Sequence, residues 1–265
     1  MGYGDEIMAT GLARGLRDKG KLAAFGDGKK IVWGPWSEEM FRNNPNIAHP
    51  SMAHQSNLVW IPHYKGARLY NVQSFDKRQW IWNYEFRVKP GEFFFDQWER
   101  AKIDALKTSY NDFVVIEPNV AWQKSVAPNK DWGAEKYQQL SRRLRDQGIS
   151  VLQFVHKNTR RRLDGVATME LKNFRDVIGA LSLAKLYIGP EGGMHHAAAA
   201  VGVDAVVIMG GFIPPLVVGY AGHANFTGGA KACGSIHTCA HCAEAMSKIP
   251  VDEVFEAAMV KLQCQ

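Results

Sequence analysis

Apolar residues recur at helical spacing in GDEIMATGLARGLRDKG, where Ile7, Leu12 and Leu16 share one face and Gly20 supplies a stop, so the pattern predicts a helix near the start of the chain. Short apolar runs then alternate with breakers. KKIVWGPW reads as a strand ended by Gly34 and Pro35, SNLVWIPH as a second and GARLYNV as a weaker third; the helical period returns from about Asp96 with Trp98, Ile103 and Leu106. Beyond residue 110 the alternation sharpens. DFVVIEPN and ISVLQFVH are continuous apolar runs of the kind buried on both faces, and the amphipathic GAEKYQQLSRRLRDQG between them closes on a glycine. NFRDVIGALSLA, KLYIGPEGG, MHHAAAAVG and DAVVIMGG continue as helix, strand into loop, helix and strand. This alternation implies parallel βαβ units with right-handed crossovers, and a boundary in KTSYND divides an N-terminal domain, 1–110, from a C-terminal one, 111–265.

Composition narrows the class. With 265 residues, 46% of them apolar and 22% charged, the chain is globular and not disordered. No run of about 18 apolar residues occurs, and the N-terminus lacks the basic-then-apolar order of a secretory signal. No membrane span and a cytoplasmic location are therefore expected. The net charge of +6 favours an anionic partner such as a nucleotide, a nucleic acid or a phosphorylated glycan.

Candidate chemistry gathers at strand ends. In IGPEGGMHHAAAA a strand runs through a glycine-rich turn into a helix, which aims free N–H groups and the positive helix end at one point, a seat for a phosphate. Gly192 and Gly193 let backbone approach an anion, Glu191 suits ribose hydroxyls, and His195 falls in the first turn as a donor to a diphosphate or sugar oxygen. A plain βα turn with exposed histidines is the competing reading. After the preceding strands come Asn119, Lys124, Asn129 and Lys130 in one loop, and Lys157 and Arg160 in another. Lys130 can neutralise a phosphate, and three such loops on one sheet edge converge as a ligand pocket does.

The segments IEPNVAWQKSVAPNKDWGAEKYQQL, YIGPEGGMHHAAAAVG and GYGDEIMATGLARGL resemble those of the heptosyltransferases of glycosyltransferase family 9. Their counterparts there are a Lys-Trp-Pro-like turn before a helix, an Asp-Thr-Gly-x-x-His-x-Ala-Ala-x-x-Gly loop and an N-terminal Gly-Asp loop. The resemblance implies a GT-B fold: two Rossmann-like domains facing a cleft, the C-terminal one holding a nucleotide-sugar donor, here with a reduced N-terminal domain. It assigns Asp5 as general base on the acceptor hydroxyl, Lys130 as phosphate contact, and Gly192, Gly193 and His195 to the diphosphate loop. Lysine and helix dipole then stabilise the leaving diphosphate, so no catalytic metal is expected. Asp5 also suits the N-cap of the first helix. Two departures stand out. The family's first strand has no counterpart before Gly4, and Pro190-Glu191 replaces Asp-Thr. The acceptor is expected to be a surface glycan or lipopolysaccharide-type saccharide; the alternatives are a hydroxymethylated DNA base, or a noncatalytic nucleotide-binding or nucleic-acid-binding role.

Cysteine and aromatic spacing adds two further expectations. CGSIHTCAHC places Cys233, Cys239 and Cys242 within ten residues, with Cys264 near the end of the chain. One Cys-x2-Cys step with a nearby cysteine fits a structural zinc held by Cys233, Cys239, Cys242 and either Cys264 or His237; free thiols or a disulfide are the alternatives. Trp33, Trp36, Trp60, Trp80 and Trp82 crowd the N-terminal half, where they either fill a core or stack on an extruded base.

Overall fold

The computed structural model describes residues 1–264 as two sheets joined through one helix. The N-terminal part contains α1 (Tyr3–Ala13), β1 (Leu22–Gly26), α2 (Ser37–Phe41), β2 (Leu58–Tyr64), β3 (Ala67–Arg68), β4 (Asn71–Ser74) and β5 (Gln79–Trp82). β1 and β2 pair in parallel, and β2 to β5 continue as an antiparallel meander. The strand expected in KKIVWGPW is not formed: Ile31 only bridges back to Gly26. The strand lies instead at LAAFG, whose alanines carry little β signal but whose last four residues are buried. A β-carbon on Gly26 would fall 1.9 Å from Lys30 O, so this turn closes only around glycine. α1 ends at Ala13, before the expected Gly20, because Gly15 takes a left-handed φ of 72°.

α3 (Gln97–Ser109) starts where Asp96 caps it, accepting from Trp98 N and Glu99 N at 2.9 Å each, and Glu99 closes the reciprocal bond to Asp96 N. Lys102 pairs with Asp176 and Glu99 with Arg175, so α3 lies against the C-terminal layer. That layer comprises β6 (Phe113–Ile116), α4 (Ala134–Asp146), β7 (Ser150–Val155), β8 (Ala167–Glu170), α5 (Phe174–Leu181), β9 (Leu186–Pro190), α6 (Gly193–Ala200), β10 (Ala205–Ile208), α7 (Pro215–Val218), β11 (His223–Phe226), α8 (Ala240–Ser247) and α9 (Val251–Gln263). All six strands are parallel, in the order β11-β10-β9-β6-β7-β8. The chain starts at the middle strand, fills one side and then the other, so the order reverses between β6 and β9. Open α/β sheets bind ligands at the carboxyl ends of the strands flanking such a reversal.

Both faces of this sheet are covered. α4 and α9 seal one around Val114, Ile116, Leu140, Leu144, Ile188, Ile208 and Val254. The core on the other face runs from Val115, Tyr187 and Ala198 through Ile7 and Met8 of α1 to Phe25 and Met40, so α1 belongs to both halves. Its contact with α6 is close. A β-carbon on Gly4 would lie 2.8 Å from His196 Cδ2, and one on Gly193 would lie 3.1 Å from Tyr3 Cβ and 3.0 Å from Phe174 Cζ. The buried alanines Ala197 and Ala198 keep α6 thin. No helix among the described residues is long and apolar enough to cross a membrane.

Candidate active site

Asp5 sits in the first turn of α1, where its carboxylate meets groups from three places. Gly2 N donates to Oδ2 at 2.7 Å, Tyr70 OH donates to Oδ1, and Arg68 Nε lies 3.3 Å from Oδ1. Asp5 is therefore not the N-cap, which is Gly2, but reaches back to the capping amide with one oxygen and leaves the other for tertiary partners. Burial opposes its charge, yet Arg68, the Tyr70 hydroxyl and Lys124 outweigh it and hold the carboxyl at about 2. Arg68 and Tyr70 come from the meander and are both buried. Arg68 also packs over the Trp80 ring at 5.0 Å. Neither residue carries a local motif; the pairing of β3 with β2 and β4 brings them here.

Lys124 and Lys130 lie on the loop after β6. A β-carbon on Gly2 would fall 2.5 Å from Lys124 Nζ and 4.0 Å from Asp5 Oδ2, so this ammonium stands beside the carboxylate. Burial pulls the Lys124 ammonium below its ordinary value, against the attraction of Asp5. Lys130 Nζ is bound to Glu191 Oε2. The other Glu191 oxygen, Oε1, lies 3.1 Å from His196 Nε2, and His196 Nδ1 lies 2.8 Å from Tyr220 OH. Because a carboxylate only accepts, Nε2 carries a proton toward Glu191. Burial would raise the Glu191 carboxyl, but Lys130 and His196 hold it far below its ordinary range. Both oxygens expected to meet ribose hydroxyls are thus occupied by side chains.

His195 is not at the loop mouth. It is 0% exposed, with both ring nitrogens lacking partners, and it packs on Tyr220 and His223. Burial, and then the neighbouring His196 and His223, keep it neutral. The histidine facing the loop is His196, and the motif accounts for it. Laid along Glu191–Gly202, the Asp-Thr-Gly-x-x-His pattern places Glu191 on its aspartate, Gly192 on its threonine, Gly193 on its glycine and His196 on its histidine, one residue beyond the expected register. Tyr3 and Phe174 pack tightly on Gly193, whereas a β-carbon on Gly192 would meet open space. Glu191, His195 and His196 place ligand-type atoms within 4.8 Å of one another, but Lys130 already holds the carboxylate.

Asn119 serves as a loop tie. Its Nδ2 donates to Glu117 Oε1 and Arg161 O, and its Oδ1 accepts from Arg161 N. Arg161 in turn forks onto Asp131 at 2.5 and 2.8 Å, fixing the residue next to Lys130. Lys157 is exposed in the turn after β7 and forms no hydrogen bond or ion pair with this group. Burial pushes the Glu117 carboxyl up to about 7, against two hydrogen bonds from Asn119 that pull it down. The native state therefore keeps a proton that the unfolded chain, titrating near 4.5, has released, and stability falls as pH rises between these values. Glu117→Gln should flatten that fall: between pH 5 and 8 its melting temperature should drop by a few degrees less than the parent's, at ~2–4 °C per kcal/mol. Parallel pH profiles of the two proteins would show that the carboxyl is solvated.

Cys233, Cys239 and Cys242 converge, with Cys233 Sγ 3.3 Å from Cys242 Sγ and 3.9 Å from Cys239 Sγ. Ser235 N donates to Cys233 Sγ at 3.5 Å. Cys264, expected as a fourth ligand, is exposed at the end of α9 and stands outside the group. Three of the N-terminal tryptophans pack on neighbouring rings. Trp82 is buried edge-on to Phe212, Trp33 lies edge-on to Phe41 and His49, and Trp36 tilts onto Tyr3.

The model of glycosyltransferase family 9 (heptosyltransferase) matches residues 70–242. No curated protein matches the sequence. A solved family 9 glycosyl transferase from Veillonella parvula superposes with a TM-score of 0.65 at 13% identity, over 100% of this chain and 96% of that one. The dodecameric iron-containing glycosyltransferase TibC of enterotoxigenic E. coli gives 0.54 at 14%, over 92% and 79%. The ADP-heptose lipopolysaccharide heptosyltransferase II of E. coli gives 0.50 at 14%, over 96% and 80%. Identities this low speak for a common fold, here GT-B-like.

Proposed function

This chain belongs to glycosyltransferase family 9, and on that premise we propose that it moves a sugar from a nucleoside-diphosphate donor to a saccharide hydroxyl, with Asp5 as base. The acceptor oxygen attacks the anomeric carbon and its proton passes to Asp5. The bond from that carbon to the diphosphate breaks, and the diphosphate leaves with the electron pair. Lys130 and the amides opening α6 meet the leaving charge, as the family's lysine and glycine-rich loop do, so the chemistry needs no divalent ion there. His196, rather than His195, is the loop histidine in this reading. Tyr70 and Arg68 keep Asp5 ionised, and Tyr70 stands where an acceptor hydroxyl would donate.

One observation supports the reading: with α1 packed on α6, Asp5, Lys124, Lys130 and Glu191 form a single charged cluster, although Asp5 comes from the N-terminal part and the other three from the C-terminal layer. A saccharide acceptor is favoured over a DNA base because Trp33, Trp36 and Trp82 are engaged in packing. The family's heptosyltransferases make an ADP-heptose the first donor to try. We place the reaction in the cytoplasm, where the cysteines stay reduced, and assign a structural zinc to Cys233, Cys239 and Cys242. Three clustered sulfurs with an amide donating to one of them fit the thiolate set of such a site.

The test is thermal shift with ADP, UDP, GDP and CMP and their sugars, followed by transfer assays on lipopolysaccharide-type glycans and on hydroxymethylated DNA. A nucleoside diphosphate at 100 times its Kd should stabilise the protein by about 2.7 kcal/mol. Absence of any shift across the panel, or transfer to DNA alone, would reject the reading.

A further inference from the structure

The loop that carries Lys130 is fastened from behind by the cysteine-rich segment. Asn129, 1% exposed, donates through Nδ2 to Ser235 O at 3.1 Å and to His237 O at 2.7 Å, and accepts from Cys239 N at 2.9 Å. Ser125 Oγ adds a bond to Ile236 O at 2.6 Å. The same few residues hold two further neighbours. Trp80 N donates to Gly234 O at 2.7 Å and Ile236 N to Arg78 O at 3.1 Å, while Cys233 N and Gly234 N donate to Gly211 O and Phe212 O. Gly234 is required at this crossing, since it has a φ of 65° and its β-carbon would fall 2.2 Å from Trp80 O.

Cys233 and Cys239 bracket this stretch, so whatever joins their sulfurs fixes its path. All three partners of Asn129 lie inside the bracket or at its end. When the bracket is loose, a buried amide next to Lys130 loses its hydrogen bonds, and the buried asparagine can no longer hold the lysine loop in one place.

We propose that Asn129 is a positioning residue coupling the two sites, so that a divalent metal on Cys233, Cys239 and Cys242 and a diphosphate on Lys130 bind with positive cooperativity. The proposal rests on the donor and metal sites proposed above. Linkage makes it testable from both ends, because each ligand must raise the affinity of the other by the same factor.

The experiment titrates the protein with Co2+, read by thiolate-to-cobalt absorption, with and without saturating ADP; calorimetry then measures ADP binding to metal-loaded and chelator-treated protein. Both orders should give one common factor within about 5–150-fold. Asn129→Ala should still bind each ligand while the factor falls to one, and Ser125→Ala should keep part of it. A Co2+ affinity unchanged by ADP and an ADP affinity unchanged by metal in the wild-type protein, or a factor that survives in Asn129→Ala, would overturn the coupling. Failure of Co2+ to develop thiolate absorption would overturn it too. If Co2+ binds and ADP does not, the donor reading fails separately, and hydrogen exchange decides the coupling: amides 124–132 gain protection on metal loading if it holds, and do not if it is wrong.

Discussion

Asp5→Asn should lower sugar transfer by about 10²–10⁴-fold while nucleoside-diphosphate affinity stays within a factor of a few, because in the proposed mechanism the substitution removes a proton acceptor and not a phosphate contact. Asparagine keeps an oxygen for Gly2 N or Tyr70, so the helix start survives. The parent carboxyl, held at about 2, remains ionised throughout the working range, so its protonation should not produce an acid limb near pH 4. Steady-state transfer kinetics paired with calorimetric ADP binding make the check. Undiminished transfer by the variant would remove Asp5 from the chemistry; loss of both quantities together would mean that the first turn of α1 shapes the donor site.

Lys130→Ala should cost stability as well as donor binding. The substitution strands Glu191, 5% exposed, without its countercharge, and breaking a buried pair from one side costs about 3–5 kcal/mol. Adding Glu191→Gln should restore most of that stability, since a neutral amide needs no countercharge, but it should not restore ADP affinity. The depressed Glu191 carboxyl contributes its stabilisation fully above its ordinary value of 4.5 and loses it as pH falls below. Urea unfolding of the single and double variants at pH 7, beside ADP titrations, separates the two effects. A double variant no more stable than Lys130→Ala would mean that the ion pair is not what the lysine supplies. Recovered ADP binding in the double variant would mean that Lys130 only neutralises Glu191.

The periodic signal was strongest where burial is two-sided, and there the chain could be read directly. The apolar runs at β6, β7, β9 and β10 and the amphipathic helices between them follow from side-chain spacing, as does the start of α3 at Asp96. Lys130 and Glu191 could be singled out because strand ends and helix starts are local features, whereas Asp5 entered through the family resemblance; their roles at the site are proposed above. β1 was missed because two alanines and a glycine give little strand signal until a partner strand covers them.

What local pattern cannot encode is which distant groups meet. Arg68 and Tyr70 reach Asp5 through the register of an antiparallel meander, and Asn129 reaches the cysteine segment across more than a hundred residues. His195 and His196 are adjacent on one helix turn, and only the packing of α6 on α1, Tyr220 and His223 decides that the first is sealed in the core and the second turns to Glu191. The sequence by itself determined the βαβ order and the residue types at the strand ends, because both depend on near neighbours. The tertiary structure alone decided the partners, protonation states and register of the site, because these depend on charges and hydrogen bonds brought together only when the two sheets close on α1.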